Sequence, residues 1–366
     1  MVNRMVFANL VTRPVRTLVA VMAIAVEVVL ILMVVGLTSG LLEEVAKRTQ
    51  GVGADIMVQP QTTSLFMGFT GAPMPIQIQD RLAQVPQVEA VALVMLQMST
   101  ASGVSLIYGI DTESFDQVTG GFRFLEGRGL EQPDEVLVDD IFARSQGLHA
   151  GENLELLNHT LRLAGIVEHG KGARIFMKID ALQDMMGSVG KASVFFVKLS
   201  DPNHTGNVLA QFREILPNYQ LRDMREYLSL MTSSNIPGLG NFINVMIGLA
   251  ISIGLLVIFI SIYSTVVERT REIGILKSMG ASKTYIVNLV LRETTLLTVL
   301  GIGTGIGLSY LVRSLIVHTF PTMTILLTGE WMLRASLIAL VTSLLGASYP
   351  ALKATRQDAI QALAYE

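Results

Sequence analysis

The chain contains no cysteine, and that absence removes several kinds of function at once. No disulfide can staple any part of it, no thiolate can serve as nucleophile or metal ligand, and a domain facing an oxidising compartment has to be held by its core alone. Histidine is scarce as well: His149, His159, His169, His204 and His318 show no ligand spacing, so no metal is expected. Asp, Glu, Lys and Arg together make up 16% of the residues, against about 25% in soluble chains. No G-x-x-x-x-G-K-[ST] loop occurs, the turn whose backbone N–H groups and lysine cradle nucleotide phosphates, so the chain cannot be its own ATP-driven motor. The glycine cluster Gly301, Gly303, Gly305 and Gly307 has no lysine and lies inside an apolar run. No span presents repeated polar residues or a nucleophile–base pair, which disfavours an ion channel or an intramembrane enzyme; catalytic residues are not expected, nor is a nucleic-acid partner.

What is abundant is apolar. Hydrophobic residues form 51% of the chain and the mean hydropathy is +0.52. Four nearly uncharged runs stand out at 18–42, interrupted only by Glu27, and at 242–267, 294–312 and 335–352. Each has about the 20 residues a helix needs to cross roughly 30 Å of hydrocarbon. The third run extends at both ends, giving expected spans at 18–42, 242–267, 284–317 and 331–352, with a short external loop at 318–330. The reading is a polytopic α-helical membrane protein with four transmembrane helices and a large mixed α/β extracytoplasmic domain, residues 43–241, between the first and second. The first run is too long for the roughly 7–15 residues of a signal-peptide core, and no small-x-small cleavage site precedes Glu43, so it reads as a retained anchor.

Basic residues set the orientation. Arg4, Arg13 and Arg16 lie in the 1–17 segment, Arg269, Arg271, Lys277, Lys283 and Arg292 follow the second run, and Lys353 and Arg356 lie in the 353–366 tail. The connection between the third and fourth runs has only Arg313 and Arg334. Basic loops are retained inside, so both termini are expected in the cytoplasm of a cell-membrane protein. The 43–241 segment carries 15 basic and 23 acidic side chains, an acidic outer domain above a basic inner side.

Within that domain, strand-like runs fall at 54–58, 90–96, 105–110, 135–138, 154–157, 161–166 and 193–199, and helical patterns at 180–186 and 202–216. Gly127, Gly147, Gly151 and Gly165 are placed at turns between them, and the breaker-rich NIPGLG at 235–240 is a candidate hinge. The paired acids Asp139/Asp140 and Glu43/Glu44 read as solvated. Arg292/Glu293 and Arg313/His318 bracket the third span and read as snorkelling groups.

Between the second and third spans the chain reads ERTREIGILKSMGAS, residues 268–282. Charges alternate here with an apolar Ile273, Ile275, Leu276, Met279 stripe, a pattern for a short amphipathic helix lying against a partner protein. A solvated loop at the bilayer surface is the plainer alternative. Glu268, Arg269, Arg271, Glu272 and Ile275 are the candidate docking residues, with Gly280 ending the helix.

This elbow resembles the coupling-helix segment of the MacB/FtsX-like permeases, the membrane subunits of type VII ABC transporters. Further stretches carry the same resemblance: LIYGID at 106–111, FLEGR at 124–128, GLHAGENLEL at 147–156, AGIV at 164–167, and the tail YPALKATRQDAIQALAYE at 349–366. The first span with GADIMVQP at 53–60 is similar to the short permeases of the DevC and HrtB kind. The resemblance implies a homodimer or close heterodimer of four-helix subunits in the lipid bilayer, and two copies of a separate ABC ATPase that hold ATP and magnesium, with no cofactor in this chain. It also leaves room for a membrane-fusion adaptor. The implied work is mechanical: motion driven by ATP in the partner reaches the outer domain and exports or extracts an amphipathic substrate. The alternative is an FtsX-like mechanotransducer that activates an extracytoplasmic cell-wall enzyme.

Glu27 sits near mid-membrane, where a charge costs roughly 2.5–3.5 kcal/mol on insertion scales. It reads either as a substrate-contacting or proton-linked carboxylate in a central cavity, or as a neutral group locking a helix contact to Ser261 or Tyr263. Phe66, Met67, Phe69 and Met74, in the Gly/Pro-interrupted stretch 64–76, read either as an exposed apolar patch for a lipidic substrate or adaptor, or as core. Gly301/Gly305 and Gly303/Gly307 are two small-xxx-small pairs that let helices approach, within one subunit or at a dimer seam.

Overall fold

The computed structural model describes residues 14–61, 72–99, 105–231, 235–236 and 238–356. Four helices are long and apolar enough to cross a bilayer: Pro14–Gln50, Leu239–Glu268, Lys283–Thr319 and Gly329–Arg356. The first does not stop near Leu42 but continues to Gln50, because the residues that follow, up to Thr49, are all helix-compatible and Glu43/Lys47 and Glu44/Arg48 pair at i,i+4 spacing. The second begins at Leu239, immediately after Gly238 in the left-handed region at φ 82°, so the breaker-rich run ends there. The chain divides into two compact units: Met1–Gly40 with Gly238–Thr319 and Ile325–Glu366, and Leu41–Pro237 with Phe320–Thr324.

The helical unit has a core built from unequal partners. Ile24, Val28, Ile31 and Leu32 of the first helix and Ile258, Ile262 and Val266 of the second supply bulk. The fourth helix supplies small residues at helical spacing, Ala335, Ala339, Ala347 and Ala354, each fully buried. Lipid chains are as apolar as leucine, so such helices hold together by close packing rather than by expulsion of water. The outward faces, such as Val245, Leu249, Ile253, Leu256 and Ile260 on the second helix, stay uncovered, as a bilayer-facing surface requires.

The other unit is organised around a ten-stranded mixed sheet. From one edge it runs Tyr219–Asp223, Ile56–Pro60, Val194–Leu199, Val88–Ser99, Ser105–Ile110, Ile175–Lys178, Glu135–Asp139, His159–Val167 and Phe124–Gly127, with Asn153–Leu156 pairing beside His159–Val167. Two pairings are parallel, Ser105–Ile110 with Ile175–Lys178 and Glu135–Asp139 with His159–Val167. Apolar cores lie on both faces: Ile56, Val58, Phe195 and Val197 pack in one, Met57, Val94, Phe176 and Phe196 in the other. A sheet covered on both sides reads as continuous hydrophobic runs, which is why these strands show in the sequence without alternation.

Gly127, Gly147 and Gly151 do occupy positive-φ positions, but Gly165 does not lie in a turn. It sits inside the strand His159–Val167, where a Cβ would come within 2.6 Å of the Arg128 carbonyl oxygen and 2.8 Å of that of Glu126. The glycine marks close backbone approach at a register shift, not a bend.

Glu135, 2% exposed, accepts hydrogen bonds from the Arg128 guanidinium at 3.0 and 2.5 Å and from the backbone N–H groups of Glu131 and Gln132. Burial pushes its carboxyl up, yet the Arg128 fork and the two backbone donors outweigh it and hold the group at about 2, below an ordinary 4.5. A depressed folded-state value contributes stability that is complete above about 4.5 and lost as pH falls toward 2. Thermal unfolding of the wild type is therefore expected to weaken across that acid window. Glu135→Gln should unfold earlier at neutral pH and show a flatter acid limb; a variant tracking the wild type at every pH would remove Glu135 from the account.

Candidate functional site

The elbow between the second and third membrane helices folds as a helix of nine residues, Thr270–Ser278. The second helix ends at Glu268, and Arg269, at φ −100° and ψ 16°, turns the chain out of it. Glu272 in the first turn and Lys277 in the last suit the helix dipole. Gly280, at φ 89°, ends the element, and the Ala281 N–H returns to the Leu276 carbonyl at 3.0 Å. Ser282 then caps the third helix by accepting from the Tyr285 N–H at 3.2 Å.

The charges expected to face a partner divide into two groups. The Arg269 guanidinium, 11% exposed, donates to Glu272 at 2.7 Å and to Glu293 of the third helix at 2.9 Å. Glu268 pairs with Arg16 of the first helix. Lys277 donates to the Thr355 carbonyl of the fourth helix at 3.0 Å. These groups fasten the elbow to all three neighbouring membrane helices. Glu293, expected to snorkel, is 9% exposed and serves as the anchor for Arg269. Ile273 and Gly274 face inward.

Arg271, Ile275, Ser278, Met279 and Gly280 face outward, Ile275 at 42% and Met279 at 71% exposure. Residues 271, 275 and 279 stand at successive i,i+4 steps, so one cation and two apolar side chains line a single ridge. Met279 belonged to the stripe read from the sequence, but only the direction of the helix face separates it from the inward Ile273.

A second cluster lies within the unit of the large sheet. Arg174, 5% exposed, donates to Asp139 at 3.1 Å, to Glu44 at 3.1 Å and to the Thr322 carbonyl at 3.4 Å. Glu44 also faces Arg48 at 3.6 Å, and Asp139 caps the helix Asp140–Gln146 by accepting from the Phe142 N–H at 2.6 Å. Asp139, 1% exposed, and Glu44 are thus not solvated acids but the two carboxylates of a buried clasp. Burial pushes the Asp139 carboxyl up while Arg174 pulls it down. The clasp joins residues of the first helix's C-terminal end, the sheet strand Glu135–Asp139 and the 320–324 connection.

The chain also matches known families. A model of the MacB-like periplasmic core domain matches residues 17–215, and a model of the FtsX-like permease C-terminal region matches residues 244–359. This chain is an ABC transporter permease of the MacB/FtsX type. It is similar to the ABC transporter permease YvrN of Bacillus subtilis strain 168, 21% identical over 99% of both chains. It is 35% identical to the pyoverdine export ATP-binding/permease protein PvdT of Pseudomonas fluorescens Pf-5 over 34% of this chain, spanning 20% of that protein's length. The periplasmic region of MacB from Actinobacillus actinomycetemcomitans aligns with 50% of this chain and 94% of that one, at 13% identity and a TM-score of 0.38.

In this permease the two glycine pairs have different surroundings. A Cβ on Gly301 would meet Ile24 at 2.6 Å, and one on Gly305 would meet the Ala25 carbonyl and Val28 at 2.9 Å, so this pair seats the third helix on the first. Gly303 and Gly307 face open space. Gly301→Val is expected to destabilise the detergent-solubilised permease, by roughly 1–3 kcal/mol or more where the backbone cannot shift. Gly303→Val should leave the isolated subunit's unfolding temperature unchanged; equal losses from both substitutions would contradict the assignment.

The remaining candidates fall as follows. Glu27 is 2% exposed and packs against Gly254 of the second helix, not against Ser261 or Tyr263; the Tyr263 hydroxyl instead accepts from Lys353 at 2.9 Å. Met74 is 1% exposed in the core of the sheet unit and pairs in strand with Ala192, so it does not contribute to an exposed patch. Phe66, Met67 and Phe69 lie outside the described residues. Arg313 donates to the Ile325 carbonyl at 3.0 Å instead of reaching for the interface. Among the described residues no three potential metal ligands gather.

Proposed function

We propose that this permease receives ATP-driven motion from a separate ABC ATPase on its elbow and uses it to export or extract an amphipathic substrate through its outer domain. The observation that carries the reading is the outward ridge Arg271–Ile275–Met279, with Glu272 exposed beside it, on an elbow that Glu268, Arg269 and Lys277 hold to the membrane helices. A rigidly fastened helix with an uncovered cationic and apolar face suits a lever that a partner pushes. Efflux is favoured because the PvdT relative is named for pyoverdine export. In this reading two ATPase copies carry ATP and magnesium, two permease copies form a homodimer or close heterodimer in the cell membrane, both termini lie in the cytoplasm, and a membrane-fusion adaptor extends the outer side. This chain itself performs no covalent step.

The test is isolation of the tagged permease from its native membrane in mild detergent. An ABC ATPase in stoichiometric amount supports the reading and its absence overturns it. A cell-wall hydrolase in place of a transported lipid or adaptor would favour the FtsX-like reading, in which the same stroke activates an outer enzyme. Orientation has its own check. Because the chain has no cysteine, Ser278→Cys places one thiol on the exposed elbow. A membrane-impermeant maleimide is expected to label it only after the cells are permeabilised; labelling of intact cells would reverse the topology.

A further inference from the structure

Phe259, Tyr263, Tyr349 and Lys353 form a ladder that neither the elbow nor its docking ridge uses. Residues 259 and 263 stand one turn apart on the second membrane helix, and 349 and 353 one turn apart on the fourth, so each pair shares a helix face. The two helices meet closely just before it: a Cβ on Gly346 would stand 3.1 Å from the Leu255 carbonyl oxygen and 3.3 Å from the Ile258 side chain. Beyond that crossing, toward the elbow, the facing positions carry rings. The Phe259 ring lies 5.8 Å from that of Tyr349 and stacks on that of Tyr263 at 6.0 Å. Lys353 closes the ladder, its ammonium 4.7 Å from the Tyr263 ring centre and donating to the Tyr263 hydroxyl at 2.9 Å.

The ladder is open on one side. Tyr349 and Lys353 are exposed, and so are Leu256 and Leu345, one turn further into the bilayer on the same two faces. The second helix ends at Glu268, so Tyr263 lies roughly 7–8 Å from that end, at the level where amphipathic rings collect between hydrocarbon and headgroups. Charge at this level is of one sign. Arg356 follows Lys353 by three residues and is also exposed, and among the described residues no carboxylate pairs with either cation. The acids of the elbow have other cations: Glu268 pairs with Arg16, and Glu272 and Glu293 with Arg269. Donors remain as well. The ammonium has three N–H bonds and gives one to Tyr263, while the hydroxyl that accepts it keeps its own O–H to donate.

We propose that the ladder binds one anionic phospholipid of the elbow-side leaflet, with Lys353 and the Tyr263 O–H on its phosphate oxygens, Arg356 adding positive charge, and the acyl chains along Tyr349, Leu256 and Leu345. Charge complementarity selects the headgroup. Two cations without a carboxylate favour a net negative lipid, and a zwitterionic one would bring a third cation beside them. The Tyr263 ring is already taken by Lys353, so a choline group finds no aromatic face free there. The exposed leucines select a lipid over a soluble anion, because the phosphate donors run directly into surface that only hydrocarbon covers well. A lipid so held touches the second and fourth helices together, at the end where the elbow leaves the second. The proposal concerns the subunit alone and stands whether the stroke moves a substrate or activates an enzyme.

Native mass spectrometry of the purified full-length permease tests it, with phosphatidylglycerol and phosphatidylcholine of identical chains added in turn. The wild type is expected to retain phosphatidylglycerol roughly tenfold better than phosphatidylcholine. Tyr263→Phe keeps the ring and removes only the hydroxyl, and Lys353→Met keeps the stem and removes only the charge. Each should weaken phosphatidylglycerol retention roughly tenfold, the size of one charge-assisted hydrogen bond, and leave phosphatidylcholine unchanged. Lys353→Arg should keep the preference, and excess inorganic phosphate should not displace the lipid. In detergent, phosphatidylglycerol should raise the unfolding temperature of the wild type more than that of Lys353→Met. A photoreactive benzophenone in place of the Tyr349 side chain should capture phospholipid in native membranes. Equal retention of the two lipids by the wild type, or undiminished phosphatidylglycerol retention by both Tyr263→Phe and Lys353→Met, would overturn the proposal. So would displacement by phosphate, or capture of a second permease copy or another protein at position 349 in place of lipid. A ladder that only packed the helices would change stability without discriminating between headgroups.

Discussion

Replacing Ile275 and Met279 together by aspartate is expected to strip the ATPase from the purified permease while leaving the permease folded. Both side chains stand in the open, so neither contributes to the core, and the anchors that hold the elbow, Arg269 to Glu293, Arg16 to Glu268 and Lys277 to Thr355, are untouched. An apolar anchor buried at a protein interface is worth about 2–4 kcal/mol, and placing an unpaired carboxylate in its position adds a desolvation cost. A loss of about 2.7 kcal/mol already weakens binding roughly a hundredfold. Co-purification should therefore fall below detection, and Arg271→Glu should act in the same direction. The contrasting variant is Arg269→Ala, which strands Glu293 in the helix core. It should lower the unfolding temperature of the permease by itself, whether or not an ATPase is present. Retention of the ATPase at wild-type stoichiometry by the double aspartate variant would remove the ridge as its seat.

Arg174→Ala should be among the most damaging single substitutions outside the membrane helices. It removes the guanidinium that bonds Asp139, Glu44 and the Thr322 carbonyl, and breaking a buried pair from one side costs about 3–5 kcal/mol because the other charges stay buried. Burial, the largest influence on Asp139, would then be opposed only by the Phe142 N–H and the more distant Arg48, which favours the protonated form, and a neutral acid is a poorer cap for the Phe142 N–H. Arg174→Lys should recover little, since one ammonium cannot reproduce a planar fork spread over three acceptors. A compensated variant, Arg174→Met with Asp139→Asn and Glu44→Gln, should regain much of the loss in thermal unfolding by removing the stranded charges. If the clasp also carries the stroke, the compensated variant will hydrolyse ATP at the wild-type rate in the assembled complex yet move less substrate. Full transport by that variant would leave the clasp a purely structural feature.

The readable parts of this permease are those in which physical chemistry acts locally. Long apolar runs declare the four membrane helices because a bilayer offers their backbone no other way to satisfy its hydrogen bonds. Uninterrupted strands such as Ser105–Ile110 declare themselves because both sheet faces are covered. The absent cysteines exclude thiol chemistry in this chain from composition alone. The strands Phe124–Gly127 and Tyr219–Asp223 escape such a reading, since the first is exposed along its length and the second only half-buried, so neither shows as an apolar run.

Partners distant in sequence are the business of tertiary structure. Nothing near residue 174 announces that its guanidinium will meet acids at 44 and 139, and nothing near Glu293 announces Arg269. The glycines 301, 303, 305 and 307 are identical in spacing, yet a neighbouring helix lies against only alternate members. Glu27 could be recognised from its neighbours in sequence as an acid within a membrane span. That it rests in a slot cut by Gly254, with no counter-charge beside it among the described residues, follows from how the helices pack, because a pairing energy depends on distance through space and not along the chain.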